Sequence, residues 1–275
     1  SFAAWHESNV RPQKQTGYAT VFIRCPLGDL APAQLRRAAA AARKFAAGLR
    51  TSIEQNLVLR SVPETALPAL HAFLRTDGLA SCCAGQLLDI TRCVGSTTCL
   101  SAITNPKAAA RAIVRRLEGG LALDPLLRAL RVRVSGCPNS CGHHHAADIG
   151  LFGVVKQWQH RRVPHYAMLL GGAETGERFG SRVIAIPASR VAQAVEQVLR
   201  LYRAERAAAR LPRVAGPAPE HPGEPRVPSA PWTGTPGRRA QPCGRKRRIG
   251  ARRRGDREDL RQRRIELLGK EVTVT

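Results

Sequence analysis

Two pairs of cysteines have the residue type and spacing of a metal-binding site. Cys93 and Cys99 have five residues between them, Cys137 and Cys141 have three, and 37 residues separate the two pairs. Thiolates are ligands of zinc and of iron–sulfur clusters. The Pro-Asn-Ser segment inside the second pair favours a tight turn, because proline fixes φ and asparagine is a turn former. The four thiols are therefore predicted to form one tetrathiolate site.

The elements before these cysteines have the order of half a ferredoxin-like fold. Residues 18–25 are rich in β-branched and aromatic residues, which predicts a strand, and residues 32–47 have the spacing of an amphipathic helix that starts at a proline. A second strand is predicted over residues 49–60 and a second helix over 63–74. The first 15 residues are interpreted only as a polar lead-in.

A second set of elements surrounds the cysteines themselves. Helices are predicted over residues 101–117 and 124–130, and an alternating strand over 131–134 leads into the second cysteine pair. Further strands are predicted over residues 148–155, 166–170 and 182–186, followed by a helix over 187–208. A strand leading directly into a cysteine turn is the expected way to hold a cofactor loop.

The residues around the second pair carry a resemblance to a known family. The pattern Ser-Gly-Cys-x3-Cys-x6-Asp-Ile-Gly-Leu at 135–151 resembles the signature of the siroheme-dependent nitrite and sulfite reductases. The similarity runs from about Pro12 to Arg206 and covers the second of the two repeats of that family. It implies an α+β chain with a ferredoxin-like half-domain (16–76) and a 4Fe-4S/siroheme domain (77–208), preceded by the lead-in (1–15). Residues 209–275 lie beyond the resemblance, and their composition, rich in Pro and Arg, predicts a disordered tail.

The resemblance also implies cofactors and their ligands. In the family, a Cys-x5-Cys and Cys-x3-Cys set holds a [4Fe-4S] cluster, and the last cysteine also binds the siroheme iron. These roles correspond to Cys93, Cys99, Cys137 and Cys141, with Cys141 as the axial siroheme ligand. The implied substrate is nitrite or sulfite, with nitrite slightly favoured, and the implied electron donor is a protein such as ferredoxin. The resemblance does not extend to the first repeat of the family, so the chain is expected either to need that repeat from another chain in trans or to be catalytically incompetent alone.

Several other residues could belong to the site. Gln55 and Asn56 resemble a Gln-Asn pair that lies close to the siroheme in the family, although a role as polar residues at a strand edge is equally compatible. Asp148 is expected to hydrogen-bond to the cysteine loop. The three adjacent histidines that follow Cys141 are expected to be structural or to line the pocket. The basic strand residues Arg24, Arg50 and Arg60 are further candidates.

The remaining cysteines are assigned to no site. Cys25 is expected to be a small buried residue at a strand end. Cys82 and Cys83 are left out of the cluster, because neighbouring cysteines are not expected to face one site and a disulfide between them would be strained.

The charge of the chain allows other functions to be weighed. The formal net charge is +24, and residues 211–275 hold 16 of the 44 basic and 7 of the 20 acidic residues, which leaves a surplus of 15 positive charges before them. Such a surplus often indicates a polyanionic partner. Siroheme and an acidic electron donor are both anionic. With aromatic residues at only 4%, nucleic acid binding is disfavoured, since few side chains can stack on bases.

Three readings remain open from the sequence alone. The chain is interpreted first as half of a nitrite or sulfite reductase, second as a related precorrin-3B synthase of the cobalamin pathway, and third as an inactive fragment or a basic, zinc-stabilised nucleic-acid-binding module. The cysteine spacing fits zinc fingers poorly. No signal peptide or long apolar segment is present, so a cytoplasmic protein without a membrane span is expected.

Overall fold

A computed structural model describes residues 1–173 and 178–209 of this chain. The predicted tail lies, apart from its first residue, outside the described residues. The strands are β1 (Val10–Pro12), β2 (Tyr18–Ile23), β3 (Gly48–Thr51), β4 (Leu57–Pro63), β5 (Thr91–Arg92), β6 (Val132–Ser135), β7 (Ile149–Trp158), β8 (Arg161–Leu170) and β9 (Ser181–Pro187). The helices are α1 (Phe2–Asn9), α2 (Pro32–Phe45), α3 (Leu67–Arg75), α4 (Pro106–Leu117) and α5 (Val191–Ala209).

The first sheet is antiparallel, with the strand order β1-β2-β4-β3. The apolar positions of α2 and α3 pack with it around one hydrophobic cluster, whose largest buried side chains include Trp5, Leu59 and Leu70. Trp5 lies in α1, so the segment interpreted as a lead-in contains a helix that closes this core, followed by the strand β1. Residues 2–9 have no amphipathic pattern that would indicate a helix.

The second sheet has the strand order β5-β6-β7-β8-β9 and changes direction in its middle. β5, β6 and β7 are parallel, whereas β7, β8 and β9 are antiparallel. Helices α4 and α5 cover it, and the second hydrophobic cluster contains Ile113, Val134, Tyr166 and Leu199. Parallel strands leave their carboxyl ends at one edge, where loops gather.

Three predicted elements differ from the observed ones. The single strand predicted over residues 49–60 is a hairpin, because Ser52 and Asn56 pair through their backbones (2.8 Å) and close a turn between β3 and β4. Residues 124–130 form turns rather than a helix. The helix predicted from residue 101 begins only at Pro106, after Asn105, whose side chain accepts from the Ala108 amide (3.0 Å).

No helix within the described residues is both long and apolar enough to cross a lipid bilayer.

Candidate cysteine-lined cofactor site

The parallel pairing of β5 and β6 brings the two cysteine pairs to the same edge of the second sheet. Cys93 directly follows β5, and Cys137 comes two residues after β6. The pairing continues past β5, because the Cys93 amide donates to the Val134 carbonyl (3.0 Å). Two loops that are 37 residues apart in the sequence therefore start side by side.

Glycines let the two loops approach closely. The Gly136 amide donates to Sγ of Cys93 (3.1 Å), and the Gly136 carbonyl accepts from the Ile103 amide (2.8 Å). Gly95 has φ +64°, and a Cβ there would lie 1.9 Å from Cδ of Pro106. A side chain at Gly95 would therefore push the Cys93–Cys99 loop away from the start of α4. A Cβ at Gly136 would lie 3.1 Å from Cα of Gly95, so a side chain there would push the two cysteine loops apart.

The four thiols differ in their exposure. Cys137 is buried, Cys93 is half-buried, and Cys99 and Cys141 are exposed; all four are free thiols. No three or more His, Cys, Asp or Glu side chains within residues 1–173 and 178–209 are arranged to hold a single metal ion. A four-iron cluster is a larger body than one ion, so its thiolates stand further apart around it. Four free thiols on two adjoining loops are the donor set that such a cluster uses.

His144 supports the loop that follows Cys141. Its ring is fully buried, and Nδ1 lies 2.8 Å from Oγ of Ser135, which also accepts from the Gly142 amide (3.1 Å). The ring stacks on Phe152 with centroids 4.7 Å apart. Burial, with a smaller effect of His145, lowers the pKa of His144 to about 4. His144 is thus a neutral structural residue at pH 7, whereas His143 is exposed.

Acidification is expected to destabilise the protein through His144. Between pH 6.5 and about 4 the unfolded chain binds a proton at this imidazole that the folded chain does not bind. Stability is therefore unaffected by this group above pH 6.5 and falls by about 3 kcal/mol as the pH drops to 4. Urea unfolding between pH 7 and pH 4 measures this, and His144→Gln should have the shallower pH dependence. Equal pH slopes in the two proteins would contradict the assignment.

Asp148 does not serve the role expected from the sequence. Its carboxylate accepts from the Arg131 amide (2.8 Å), just before β6, rather than from the cysteine loop. The reason is that Asp148 immediately precedes β7, and the parallel register places the start of β7 beside the start of β6. Asp148 therefore joins the amino-terminal ends of β6 and β7, whereas the cysteines follow the carboxyl ends of β5 and β6.

Gln55 and Asn56 make their hydrogen bonds to protein groups. The Gln55 side chain donates to the Arg92 carbonyl (2.7 Å) and accepts from the Arg92 amide (3.2 Å), immediately before Cys93. The Asn56 side chain donates to Asp89 (2.6 Å) and accepts from the Cys25 amide (2.8 Å). Both residues therefore tie the ferredoxin-like half to the segment that leads into Cys93.

Replacing Gln55 with alanine is expected to loosen the Cys93 loop. Two hydrogen bonds to the backbone of Arg92 are lost, and each such bond contributes about 1 kcal/mol. We expect a loss of about 1–2 kcal/mol in the free energy of unfolding, measured by urea denaturation. The matched control is Gln157→Ala, at an exposed position of β7. An unfolding curve equal to that of the control would contradict this role.

Two ionic networks near Cys93 were not found by sequence reasoning. The buried Asp89 accepts from the Gly85 amide (2.6 Å) and lies 3.5 Å from Arg24. Asp29 contacts Arg92 (2.7 Å) and Lys107 (2.6 Å). Desolvation opposes ionisation of Asp29, but these two cations outweigh it and hold its pKa below the usual range. The partners come from distant segments, so no spacing in the sequence could have indicated them.

The three basic strand residues that were considered as substrate ligands have different positions. Arg24 is committed to Asp89 and to the Leu88 carbonyl (2.7 Å). Arg50 and Arg60 are exposed on the first sheet, and Arg50 donates to the adjacent Leu49 carbonyl (2.9 Å). Arg24 thus has a structural role in this chain.

Cys25 is 3% exposed, as predicted, and its thiol donates to the Ile23 carbonyl (3.4 Å).

Most of the chain matches two domain models of one protein family. Residues 83–215 match the Nitrite and sulphite reductase 4Fe-4S domain, and residues 11–76 match the Nitrite/Sulfite reductase ferredoxin-like half domain. The chain is 35% identical over 168 residues to a ferredoxin–nitrite reductase of Synechococcus elongatus, covering 59% of this chain and 31% of the relative. It is 33% identical over 131 residues to the sulfite reductase [NADPH] hemoprotein beta-component of Alteromonas mediterranea, covering 47% and 22%.

The fold agrees with this match. The structure of the Mycobacterium tuberculosis NirA protein superposes with a TM-score of 0.58 at 23% identity, over 70% of this chain and 36% of that one. The chain spans about a third or less of the length of these curated relatives. The α+β fold with a ferredoxin-like half-domain, expected from the sequence, is confirmed. The chain therefore belongs to the nitrite and sulfite reductase family, of which it carries one ferredoxin-like half-domain and one 4Fe-4S domain.

Proposed function

We propose that this chain is the cofactor-binding part of an oxidoreductase that reduces nitrite to ammonia or sulfite to sulfide, with nitrite favoured. The observation that carries the proposal is the meeting of the two cysteine loops, where the Cys93 amide reaches Val134 and the Gly136 amide reaches Sγ of Cys93. The family match and the first relatives, which are ferredoxin–nitrite reductases, support the choice of reaction.

Four residues would hold the cofactors. Cys93, Cys99, Cys137 and Cys141 would bind a [4Fe-4S] cluster, and Cys141 would also bind the siroheme iron. When bound, this pair of cofactors would supply the electrons for reduction of the anion. Cys99 and Cys141 are the exposed thiols, which suits a cofactor that lies outside the loops rather than beneath them.

The protein around the thiols would tune and shield the cluster. The Gly136 amide would remain a donor to the Cys93 thiolate, and such hydrogen bonds stabilise the charged sulfur. His144 would remain neutral and would hold the loop after Cys141 through Ser135. Neither the Gly136 amide nor the neutral His144 ring would have to gain or lose a proton in this role.

The electron donor would be an acidic protein such as ferredoxin. β7 and β8 extend beyond β6, because Phe152 pairs with Ser135 at the end of β6 and six more residues of β7 follow. The end of this hairpin is basic and exposed, with Lys156, Arg161 and Arg162 on the side of the sheet where the carboxyl end of β6 leads into Cys137. These charges would attract an acidic donor towards the cofactors.

The substrate site would need residues from elsewhere in the family's full architecture. Arg24 forms an ion pair with Asp89, and Arg92 forms one with Asp29, so neither guanidinium is available to bind an anionic substrate. We propose that the remaining basic groups come from the first repeat of the family, supplied by another chain or by further sequence. Activity is therefore expected only when that part is present.

The test is a cofactor analysis of protein made in cells that synthesise siroheme. We expect about five irons per chain, four in the cluster and one in the haem, together with siroheme absorption bands. With reduced methyl viologen and the first repeat co-expressed, nitrite should be consumed and ammonia formed. Zinc in place of iron, or iron without siroheme even in the co-expressed complex, would overturn the proposal.

A further inference from the structure

Cys82 and Cys83 form a second thiol cluster, distinct from the four-cysteine site. The sequence predicted that neighbouring cysteines do not face one site, and this prediction was wrong. Their sulfurs lie 3.2 Å apart, and both side chains are half-buried rather than enclosed. Cys83 has φ +73°, and this left-handed backbone brings the two side chains onto the same side of the chain.

The end of α1 holds this pair in place. The Asn9 side chain donates to the Ser81 carbonyl (3.0 Å), and Oγ of Ser8 accepts from the Cys83 amide (2.9 Å). Asn9 is fully buried and also donates to the Phe22 carbonyl of β2 (2.8 Å). The two thiols are therefore preorganised by contacts with the core, which lowers the entropy cost of binding a ligand between them.

The geometry discriminates among the partners of a dithiol. The Cα atoms of adjacent residues are about 3.8 Å apart, shorter than the roughly 4.4–6.8 Å of ordinary disulfides, so a direct S–S bond would be strained. Tetrahedral zinc with Zn–S bonds of about 2.3 Å would hold two sulfurs about 3.8 Å apart, wider than the observed 3.2 Å. Pyramidal trivalent arsenic, whose S–As–S angle is close to a right angle, holds them closer together.

We propose that Cys82 and Cys83 form a chelating dithiol site for trivalent arsenic compounds. The reaction with an arsenic oxide is a condensation: two As–S bonds form, two S–H bonds and the arsenic–oxygen bond break, and the oxygen leaves as water with both protons. No oxidant or reductant is required.

The protonation state of the pair suits this condensation. Burial, together with the hydrogen bond to Cys82, raises the pKa of the Cys83 thiol to about 11. Cys83 therefore keeps its proton at pH 7 and can deliver it to the departing oxygen. The same burial disfavours a reactive thiolate, so the pair is less suited to attack on small disulfides.

The test uses phenylarsine oxide and mass spectrometry on the full-length protein. Trypsin releases the pair on the peptide Thr76–Arg92, which holds no other cysteine, while the two cluster pairs fall on residues 93–107 and 134–156. With equimolar phenylarsine oxide we expect one phenylarsenic group on Thr76–Arg92. The adduct should survive about 100-fold excess glutathione, because the second sulfur acts intramolecularly, and should be removed by a dithiol.

Single substitutions decide the outcome. Cys82→Ser and Cys83→Ser should each lower the occupancy of this peptide at least about tenfold, since one sulfur cannot chelate. The control Cys25→Ser should bind as the wild type does. Absence of the adduct from Thr76–Arg92, or its persistence in both single variants, would overturn the proposal. Arsenic captured by unloaded cluster cysteines would appear on residues 93–107 or 134–156, so the peptide readout distinguishes it from an adduct at Cys82 and Cys83.

Discussion

Serine at any one of Cys93, Cys99, Cys137 or Cys141 is expected to remove most of the protein-bound iron. A hydroxyl is a much weaker ligand for cluster iron than a thiolate, and the two loops contribute two thiols each. For Cys141→Ser we expect loss of siroheme as well as of the cluster. Under the proposed function, the complex with the co-expressed first repeat should then reduce nitrite more than about 100-fold more slowly, because the reaction depends on both cofactors. Iron analysis and absorption spectra of the purified variants measure this.

Cys25→Ser is the matched control for these variants. Cys25 is buried, lies outside the four-cysteine set, and a serine hydroxyl can donate to the Ile23 carbonyl as the thiol does. It should retain wild-type iron content. Full iron content in Cys137→Ser or Cys141→Ser would show that these thiols are not ligands.

Gly150→Ala is expected to damage the same site without touching a ligand. A Cβ at Gly150 would lie 1.9 Å from the His144 carbonyl oxygen, a backbone atom in the turn that follows Cys141. Gly150 lies in β7 between β6 and β8, so the strand has little room to move. We expect a loss of about 3 kcal/mol in the free energy of unfolding, at the upper end for overpacking, and a loss of bound iron.

The control for this variant is Gly120→Ala. A Cβ there meets no heavy atom within 4 Å, and the φ of Gly120 is −160°. We expect a change within about 0.5 kcal/mol and unchanged iron content. If Gly150→Ala unfolds at the same urea concentration as Gly120→Ala, the loop does not rely on close contact with β7.

Local sequence patterns predicted the parts of the fold that depend on local chemistry. Tyr18–Ile23 is a strand because its residues are β-branched and aromatic, and the strand over Val132–Ser135 follows from alternation. The turn between Cys137 and Cys141 follows from proline and asparagine. The assignment of the four cysteines as ligands came from the family resemblance and stays a prediction.

Other features depend on contacts between distant segments. α1 was missed because Trp5 is its one large buried apolar side chain, which gives no periodic pattern in eight residues. α4 starts late because residues 103 and 104 donate to the Gly136 carbonyl (2.8 and 3.2 Å) instead of to a helix. The proximity of the Cys82 and Cys83 sulfurs depends on a left-handed φ, which residue type alone does not indicate at a cysteine.

The short ladder between β5 and β6 means that a bound cluster would also join the two cysteine loops mechanically. β5 has two residues, so few backbone hydrogen bonds join the Cys93 loop to the Cys137 loop. A cluster bound by both loops would close the 37-residue connection that contains α4. By the polymer argument used for disulfides, such a closure restricts the unfolded chain by about 4 kcal/mol. Binding of the cluster would then cross-link the two loops as a disulfide would, and the pairing of β5 with β6 would reach full stability only after iron is inserted.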